Sequence, residues 1–464
     1  MNLTDHLHAY FGFSAFRPGQ EEIIQGLLNN QDVLAILPTG NGKSLCYQLT
    51  GYLQEGMVVV VSPLLSLMED QVIQLQKRGE KRVVAYNSLL SKSERQYVLA
   101  HLAEYKFLFV SPEMLNQLEL LDRLKQQKIA LYVIDEAHCV SQWGIDFRPE
   151  YQYLGDINRQ LGSPTTLALT ATATSIVQAD IETVLFQETP LRIKHSVNRT
   201  NIALLVKHTE EKDHELQELM EQANGAMIIY CATKKEVERL YQLFRPKYAV
   251  GYYHGGLDAS QRRQLQQQFS QNQLQFLIAT NAFGMGIDKA DIRYVVHYDL
   301  PDSLENYMQE IGRAGRDQQN SSAILLYQKG DEQIHYFFNQ LAKEQRQIFE
   351  TYLKNEEVVD TSFFDEIQQK WLEVIQKTQA PEKWLGRLKQ QEKAKIDRLQ
   401  QMLRYINTTD CRREQMLAYF GEVLTEKPES CCDNDGAVLS QNENKIQLPT
   451  TKLEEWPDIL LNLF

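Results

Sequence analysis

From residue 32 to residue 330 the chain alternates between short apolar runs ending in small or polar residues and longer stretches with apolar positions at helical spacing. A first set of runs covers 32–38, 57–63, 107–112, 130–138 and 166–173; a second covers 226–233, 248–255, 276–283, 294–301 and 323–327. The runs are rich in β-branched residues and apolar on both faces, the pattern of central strands in parallel sheets. Alternation with helices predicts βαβ units in an α/β layered fold. Two sets predict two similar parallel-sheet domains in tandem. Their boundary falls near 198–204, where VNRTNIALLV leaves one set and approaches the other.

From about residue 333 the strand pattern stops, and 333–420 reads as helices. Within 393–406, for example, Ile396, Leu399, Met402, Leu403 and Ile406 recur at helical spacing. The stretch 436–447 is polar and reads as loose. The final KLEEWPDILLNLF turns apolar again, and Trp456, Leu460, Leu463 and Phe464 predict a helix docked on the body. The other reading of that end is a hook for a partner protein.

Composition adds limits. A length of 464 residues leaves room for three compact units, and 43% hydrophobic content is ordinary for a chain with sizeable cores. No stretch reaches the ~20 unbroken apolar residues of a membrane span. The start, MNLTDHLHAY, lacks the basic and apolar regions of a signal peptide, so a cytoplasmic location is expected. The formal charge of −13 counts against a broadly basic face, yet 48 Lys and Arg residues suffice for a local basic track. Cys46, Cys139 and Cys231 sit singly in apolar segments and read as small buried hydrophobes, not a secreted disulfide framework. Cys411, Cys431 and Cys432 cluster near the C-terminus.

The chemistry begins at LPTGNGKS, residues 37–44, directly after the run DVLAI. A glycine-containing loop between strand and helix wraps phosphates with backbone N–H groups, and the helix N-terminus adds positive potential. Thr39, Gly40, Asn41 and Gly42 would form that loop, Lys43 would reach the β- and γ-phosphates of ATP, and Ser44 would bind Mg²⁺. VIDEAH, residues 133–138, ends in Asp135, Glu136 and His138. Asp135 at a strand tip suits Mg²⁺, and Glu136 beside it can orient or deprotonate the attacking water. QEIGRAGR, residues 309–316, brings Gln309, Arg313 and Arg316. Two arginines three apart are expected to share one helix face and to neutralise charge growing on the γ-phosphate.

With these residues in place, the chain closely resembles the RecQ family of superfamily-two DNA helicases over roughly residues 3–436. The blocks that carry the resemblance are FGFSAFRPGQ, LPTGNGKSLCYQ, SPLLSLMEDQV, VIDEAHCVSQWGIDFRPEY, LALTATAT, IIYCATKKEVE, YYHGGL, ATNAFGMGIDKADIRYVVHYDLP and YMQEIGRAGRD. Leu37, where the general phosphate loop has glycine, fits the helicase form PTGxGKS. The resemblance implies two RecA-like lobes, over 1–203 and 204–335, then a helical zinc-platform-like subdomain over 336–436 and a tail over 437–464. It implies that Phe13 and Arg17 sandwich adenine while Gln20 hydrogen-bonds its edge. It implies that Trp143, Phe147 and Arg148 belong to an aromatic-rich loop coupling DNA to hydrolysis, a loop where the family usually has His in place of Ile145. By the same resemblance Thr170 and Thr172 link the lobes, Gly286 and Asp288 lie near ribose and DNA backbone, and Ser62 and Ser66 contact strand phosphates.

The C-terminal region departs from the family's four zinc-binding cysteines. Cys411 matches the first, and alignment on Cys432-Asp433-Asn434 puts Glu429 and Asp435 where two others are expected. Structural zinc favours four sulfur or imidazole ligands, and adjacent cysteines rarely chelate one ion. A platform held by packing is therefore expected, with Cys411 and Cys432 as the remnant of a site. The alternative is a site of Cys411, Cys431, Cys432 and an aspartate. Only 28 residues follow Gly436, so the chain resembles short members without the winged-helix module or the small helical nucleic-acid-binding (HRDC) domain.

The function implied is an ATP-dependent 3′-to-5′ DNA helicase, acting as a monomer on single-stranded and forked DNA in repair, recombination or replication restart. A single-strand DNA-binding protein is a candidate partner. The alternatives are an RNA-remodelling ATPase, because the shared motor motifs do not read the 2′-OH, and a nucleotide-gated binding protein that does not unwind.

Overall fold

The structure, a computed structural model, describes residues 2–141, 149–283, 289–354, 361–365, 367–369, 371–372, 375 and 381–439. Among the described residues thirteen strands form two sheets, with all pairings within them parallel. The first holds β1 (Val33–Ile36), β2 (Met57–Val61), β3 (Val83–Tyr86), β4 (Phe107–Val110), β5 (Ile129–Ile134), β6 (Thr166–Thr170) and β7 (Leu191–Lys194), in the order β3-β4-β2-β5-β6-β1-β7. The second holds β8 (Ile202–His208), β9 (Ala226–Tyr230), β10 (Val250–Tyr253), β11 (Phe276–Ala279), β12 (Ile292–His297) and β13 (Ser321–Tyr327), in the order β10-β11-β9-β12-β13-β8.

Why the runs are apolar throughout is visible in β1 and β5. Val33, Ala35, Leu131 and Val133 feed one core, whereas Leu34, Ile36, Tyr132 and Ile134 feed the core on the other side of the sheet. Helices cover both faces, so every position of these strands loses water. At roughly 1.5–3 kcal/mol for each fully buried large aliphatic side chain, such cores outweigh any local propensity. All ten predicted runs contain a strand. The three strands without a predicted run, β3, β7 and β8, are edge strands. Along β7 only Ile193 is buried, which leaves no continuous run to read.

The predicted lobe boundary at 203/204 falls inside β8, which starts at Ile202. By compactness the chain forms two units: 1–198 with 336–397 and 417–423, and 199–335 with 398–416 and the residues from 424 onward. The helical C-terminal region, with helices Gln333–Lys354, Pro381–Asn407 and Arg412–Tyr419, is thus divided between the two units. Of the residues predicted to face a core in 393–406, Leu399, Met402 and Ile406 are buried, while Ile396 is 42% exposed. The stretch 440–464, with Trp456, Leu460, Leu463 and Phe464, lies outside the described residues. Among the described residues no helix is long and apolar enough to cross a membrane.

Candidate nucleotide site, arginine turn and cysteine cluster

Strand order in the first unit places the phosphate loop beside the acidic motif. β6 lies between β1 and β5, with Ile36 in register with Thr170 and Ile134 with Ala168. Three loops therefore leave adjacent carboxyl ends of a parallel sheet, where ligands bind in open α/β folds. They carry Leu37–Ser44, Asp135–His138 and Thr170–Thr172.

In the phosphate loop, Gly40 and Gly42 have φ of 83° and 68°, which L side chains rarely adopt. Gly42 caps the helix Lys43–Leu53, so Lys43 and Ser44 open that helix. Leu37 N donates to Thr170 O at 3.0 Å, tying the loop's root to β6. A second brace comes from the FRPGQ segment. Gln20, 3% exposed, donates from Nε2 to Asn41 O (2.9 Å) and Gly42 O (3.1 Å), and accepts from Arg17 N at 2.9 Å. Asn41 Nδ2 donates to Pro18 O at 3.0 Å, and Arg17 Nη1 donates to Gly40 O. The Gln20 amide is thus engaged with the phosphate loop rather than turned outward. To meet an adenine edge it would first release these bonds. Phe13 is 49% exposed, so its ring face is open to stacking.

Asp135 follows β5 directly, and its carboxyl is held well above the usual carboxylate range by burial first and by neighbouring Glu136 second, against the pull of Lys43. Two carboxylates and one lysine side by side in a buried place suit a divalent cation, which supplies the positive charge that the pair lacks. Glu136 adopts φ 49°, ψ 49°, a left-handed backbone that is strained for a side chain of its size. Its N–H donates to Asp135 Oδ1 at 3.0 Å, and its Oε2 lies 3.3 Å from His138 Nδ1. Thr170 Oγ1 donates to Thr172 O, so it accepts from His138 Nδ1, 3.0 Å away. Burial keeps His138 below the usual imidazole range despite Glu136, so the ring is neutral at pH 7.

In the second unit Gln309 sits half-buried on the helix Leu304–Ile311. Arg313 and Arg316 do not share a helix face as expected: the helix stops at Ile311 and both lie in the turn beyond it. Gly312 and Gly315 break the helical pattern, the latter at φ 55°. Arg313 is 5% exposed and its positive charge acts on the buried Tyr230 hydroxyl, which donates to Phe283 O at 2.8 Å.

Several residues expected to contact DNA lie out of view. Ser62 is 2% exposed just after β2, and its hydroxyl has no hydrogen-bond partner among the described residues. Trp143, Phe147, Arg148, Gly286 and Asp288 lie outside the described residues, as does the side chain of Ser66.

The cysteine region also departs from expectation. Cys411, Cys431, Cys432 and Asp435 each bring one ligand atom to a common place, all within 4.8 Å of one another. Cys411 and Cys431 Sγ are 3.5 Å apart, and Cys432 Sγ donates to Asp435 Oδ2 at 3.0 Å. Zinc with bonds of about 2.3 Å to sulfur spaces two thiolates about 3.8 Å apart at tetrahedral angles. Three sulfurs and one carboxylate at these separations fit such an ion, and the two adjacent cysteines both contribute. A short turn, Asp433–Asp435, folds Asp435 back over Cys432 and closes on Gly436 at φ 85°. Arg412 braces it through a two-bonded pair with Asp433, with Nη2–Oδ2 at 2.8 Å. The thiols are held protonated by burial, Cys411 being pushed up to about 11, while Lys427 first and the thiols next hold Asp435 below the carboxylate range. The sequence signal for this set is the CCDND string itself, which adjacency of its cysteines argues against.

Comparison with known proteins agrees with these features. The family described as DEAD/DEAH box helicase matches residues 17–180, the helicase conserved C-terminal domain matches 211–318, and the RecQ zinc-binding family matches 366–435. A probable ATP-dependent DNA helicase RecS of Bacillus subtilis is 42% identical over 100% of this chain and 98% of its own length. The ATP-dependent DNA helicase RecQ of Pasteurella multocida is 37% identical over 92% of this chain, which spans 61% of that protein. The solved Mycobacterium smegmatis helicase Lhr, bound to ssDNA and AMP-PNP, shares the fold at a TM-score of 0.57 and 20% identity, over 70% of this chain and 47% of that one. Full-length identity to RecS, the three family matches and the paired sheets converge, and the chain belongs to the RecQ family of helicases.

Proposed function

We propose that the protein hydrolyses ATP to translocate on single-stranded DNA in the 3′-to-5′ direction and unwinds forked or short duplexes in repair, recombination or replication restart. The observation that carries this reading is the convergence of the phosphate loop, Asp135–Glu136 and Thr170 at the ends of β1, β5 and β6. In this reading Lys43 and the N–H groups of Thr39–Ser44 hold the β- and γ-phosphates. Ser44 and Asp135 hold Mg²⁺, which would neutralise charge shared by the phosphates. Glu136 takes the proton of the attacking water. Gln309, Arg313 and Arg316 stabilise charge on the transferring phosphoryl group. Phe13 and Arg17 stack on the base, and Gln20 senses the nucleotide by exchanging its phosphate-loop bonds for the adenine edge. The aromatic loop with Trp143, Phe147 and Arg148 supplies the single-strand track. The protein acts as a monomer in the cytoplasm, with a single-strand DNA-binding protein as partner.

The test is ATP turnover with and without single-stranded DNA, against RNA of the same length. DNA is expected to raise kcat by about tenfold or more, as an obligate coupling of track to hydrolysis requires, with RNA at least tenfold poorer. Stimulation by RNA alone would transfer the motor to RNA.

We also propose that Cys411, Cys431, Cys432 and Asp435 hold one zinc ion. Because burial keeps the three thiols protonated near neutral pH, a bound ion must displace their protons. Affinity should therefore fall as pH falls, by up to about 10³ per unit if all three protons leave. Zinc release titrated with a chromogenic chelator at pH 6.5 and 7.5 measures this. Absence of zinc from protein purified without chelator would remove the proposal.

A further inference from the structure

The turn that carries Arg313 and Arg316 begins where a helix ends, so its carbonyls have lost their helical N–H partners. Three of them converge on one side chain. Arg199 Nη1 donates to Gly312 O at 3.3 Å, and its Nη2 donates to Ala314 O at 3.1 Å and to Gly315 O at 2.6 Å. Arg199 Nε donates to Asn201 Oδ1 at 3.3 Å, and Asn201 Nδ2 donates in turn to Gly315 O and Gln319 O, both at 2.9 Å. The fit leaves no slack: a Cβ on Gly315 would stand 2.4 Å from Asn201 Nδ2 and 2.7 Å from Gln319 O. The carbonyls bracket Arg313 on both sides and approach Arg316, so Arg199 fixes the peptide planes from which both guanidinium groups project.

Arg199 is itself held. Arg413, 1% exposed, donates from Nη1 to Arg199 O at 2.9 Å, and from Nη2 to Ile202 O and to Cys431 O, the latter at 3.2 Å. Leu204 N also donates to Cys431 O at 3.1 Å. All these residues belong to one compact unit, of which Arg199 is the first residue. The VNRTN string, which on sequence reads only as a lobe boundary, therefore contains a side chain committed to the arginine turn.

We propose that Arg199, seconded by Asn201, is the positioning residue that sets Arg313 and Arg316 for phosphoryl transfer. This rests on the proposed role of those arginines. The planar fork of an arginine serves three carbonyls at once, whereas an ammonium serves them from a single point.

The experiment is steady-state and single-turnover ATP hydrolysis by the full chain with saturating single-stranded DNA, for Arg199→Gln, Arg199→Lys, Asn201→Ala and Arg313→Ala. Each of the first three is also combined with Arg313→Ala. Arg199→Gln should lower kcat by roughly 30- to 100-fold while leaving KM for ATP within about threefold, the signature of an interaction made in the transition state. Arg199→Lys should recover part of the loss, and Asn201→Ala should cost about three- to tenfold. In the Arg313→Ala background the same changes should cost no more than about twofold, because residues acting as a unit are not additive. Equal losses in both backgrounds, or a rise in KM matching the fall in kcat, would overturn the positioning role. An Arg313→Ala protein with undiminished kcat would instead overturn the role of the arginines and this proposal with it. Should Arg199→Gln fail to fold by thermal melting, Arg199→Lys and Asn201→Ala decide the question by the same comparison.

Discussion

Replacing Arg313 by alanine is expected to lower DNA-stimulated kcat by about 10³-fold or more, within the 10³–10⁵ range of arginines that meet a transferring phosphoryl group. Arg313 is buried in a turn where its charge acts on the Tyr230 hydroxyl, and its Nε has no hydrogen-bond partner among the described residues. A guanidinium that keeps donor capacity in a place shielded from water acts strongly on any phosphate oxygen that reaches it. The loss should fall on kcat, with nucleotide affinity nearly unchanged, because the charge it meets grows only as the phosphoryl group leaves. A variant whose kcat stays within tenfold of the parent would mean that Arg313 serves only Tyr230 and the turn. Thermal melting separates that case from a folding defect.

Glu136→Gln carries the second-largest expected effect, about 10²–10⁴-fold in kcat, the usual contribution of a positioned general base. Glutamine keeps the volume and meets the same backbone cost at φ 49°, so the fold should be unaffected. The variant still binds ATP through the phosphate loop, and nucleotide is expected to remain bound and intact. Filter retention of labelled ATP, with analysis of the bound species, shows this directly. Rapid appearance of ADP in the variant would remove Glu136 from the proton-transfer step and leave it as a brace for His138.

Central strands are what made the nucleotide site legible in the sequence. β1, β5 and β6 are central strands with long buried stretches, so their apolar runs are continuous, and each motif begins where its run ends. The edge strands β3, β7 and β8 carry no such predicted run, whereas the edge strand β10 does. Other features depend on how distant segments meet. Nothing in VNRTN announces that Arg199 meets three carbonyls more than a hundred residues away. The arginine pair reads as helical because its spacing allows a shared face, but glycines on either side of Arg313 release the helix first. Ser62 looks polar and loop-like in SPLLSL, yet it is enclosed by the end of its strand. Adjacent cysteines read as a poor ligand set on sequence, yet Cys431 and Cys432 each bring a ligand atom within 4.8 Å of those of Cys411 and Asp435.

The chain's itinerary has a consequence for how such a protein can be taken apart. It passes from the first unit to the second at 198/199, returns at 335/336, and changes unit again at 397/398, 416/417 and 423/424. Neither unit is a continuous stretch of polypeptide, so the helicase lobes are not separable cassettes. A truncation just after β13 would strip packing from both units at once, including the segment that carries Arg413 and the cysteines from the second. Trimming from the C-terminal side meets the same limit, because the stretch after the last change of unit still carries Cys431, whose carbonyl accepts from Arg413 and Leu204.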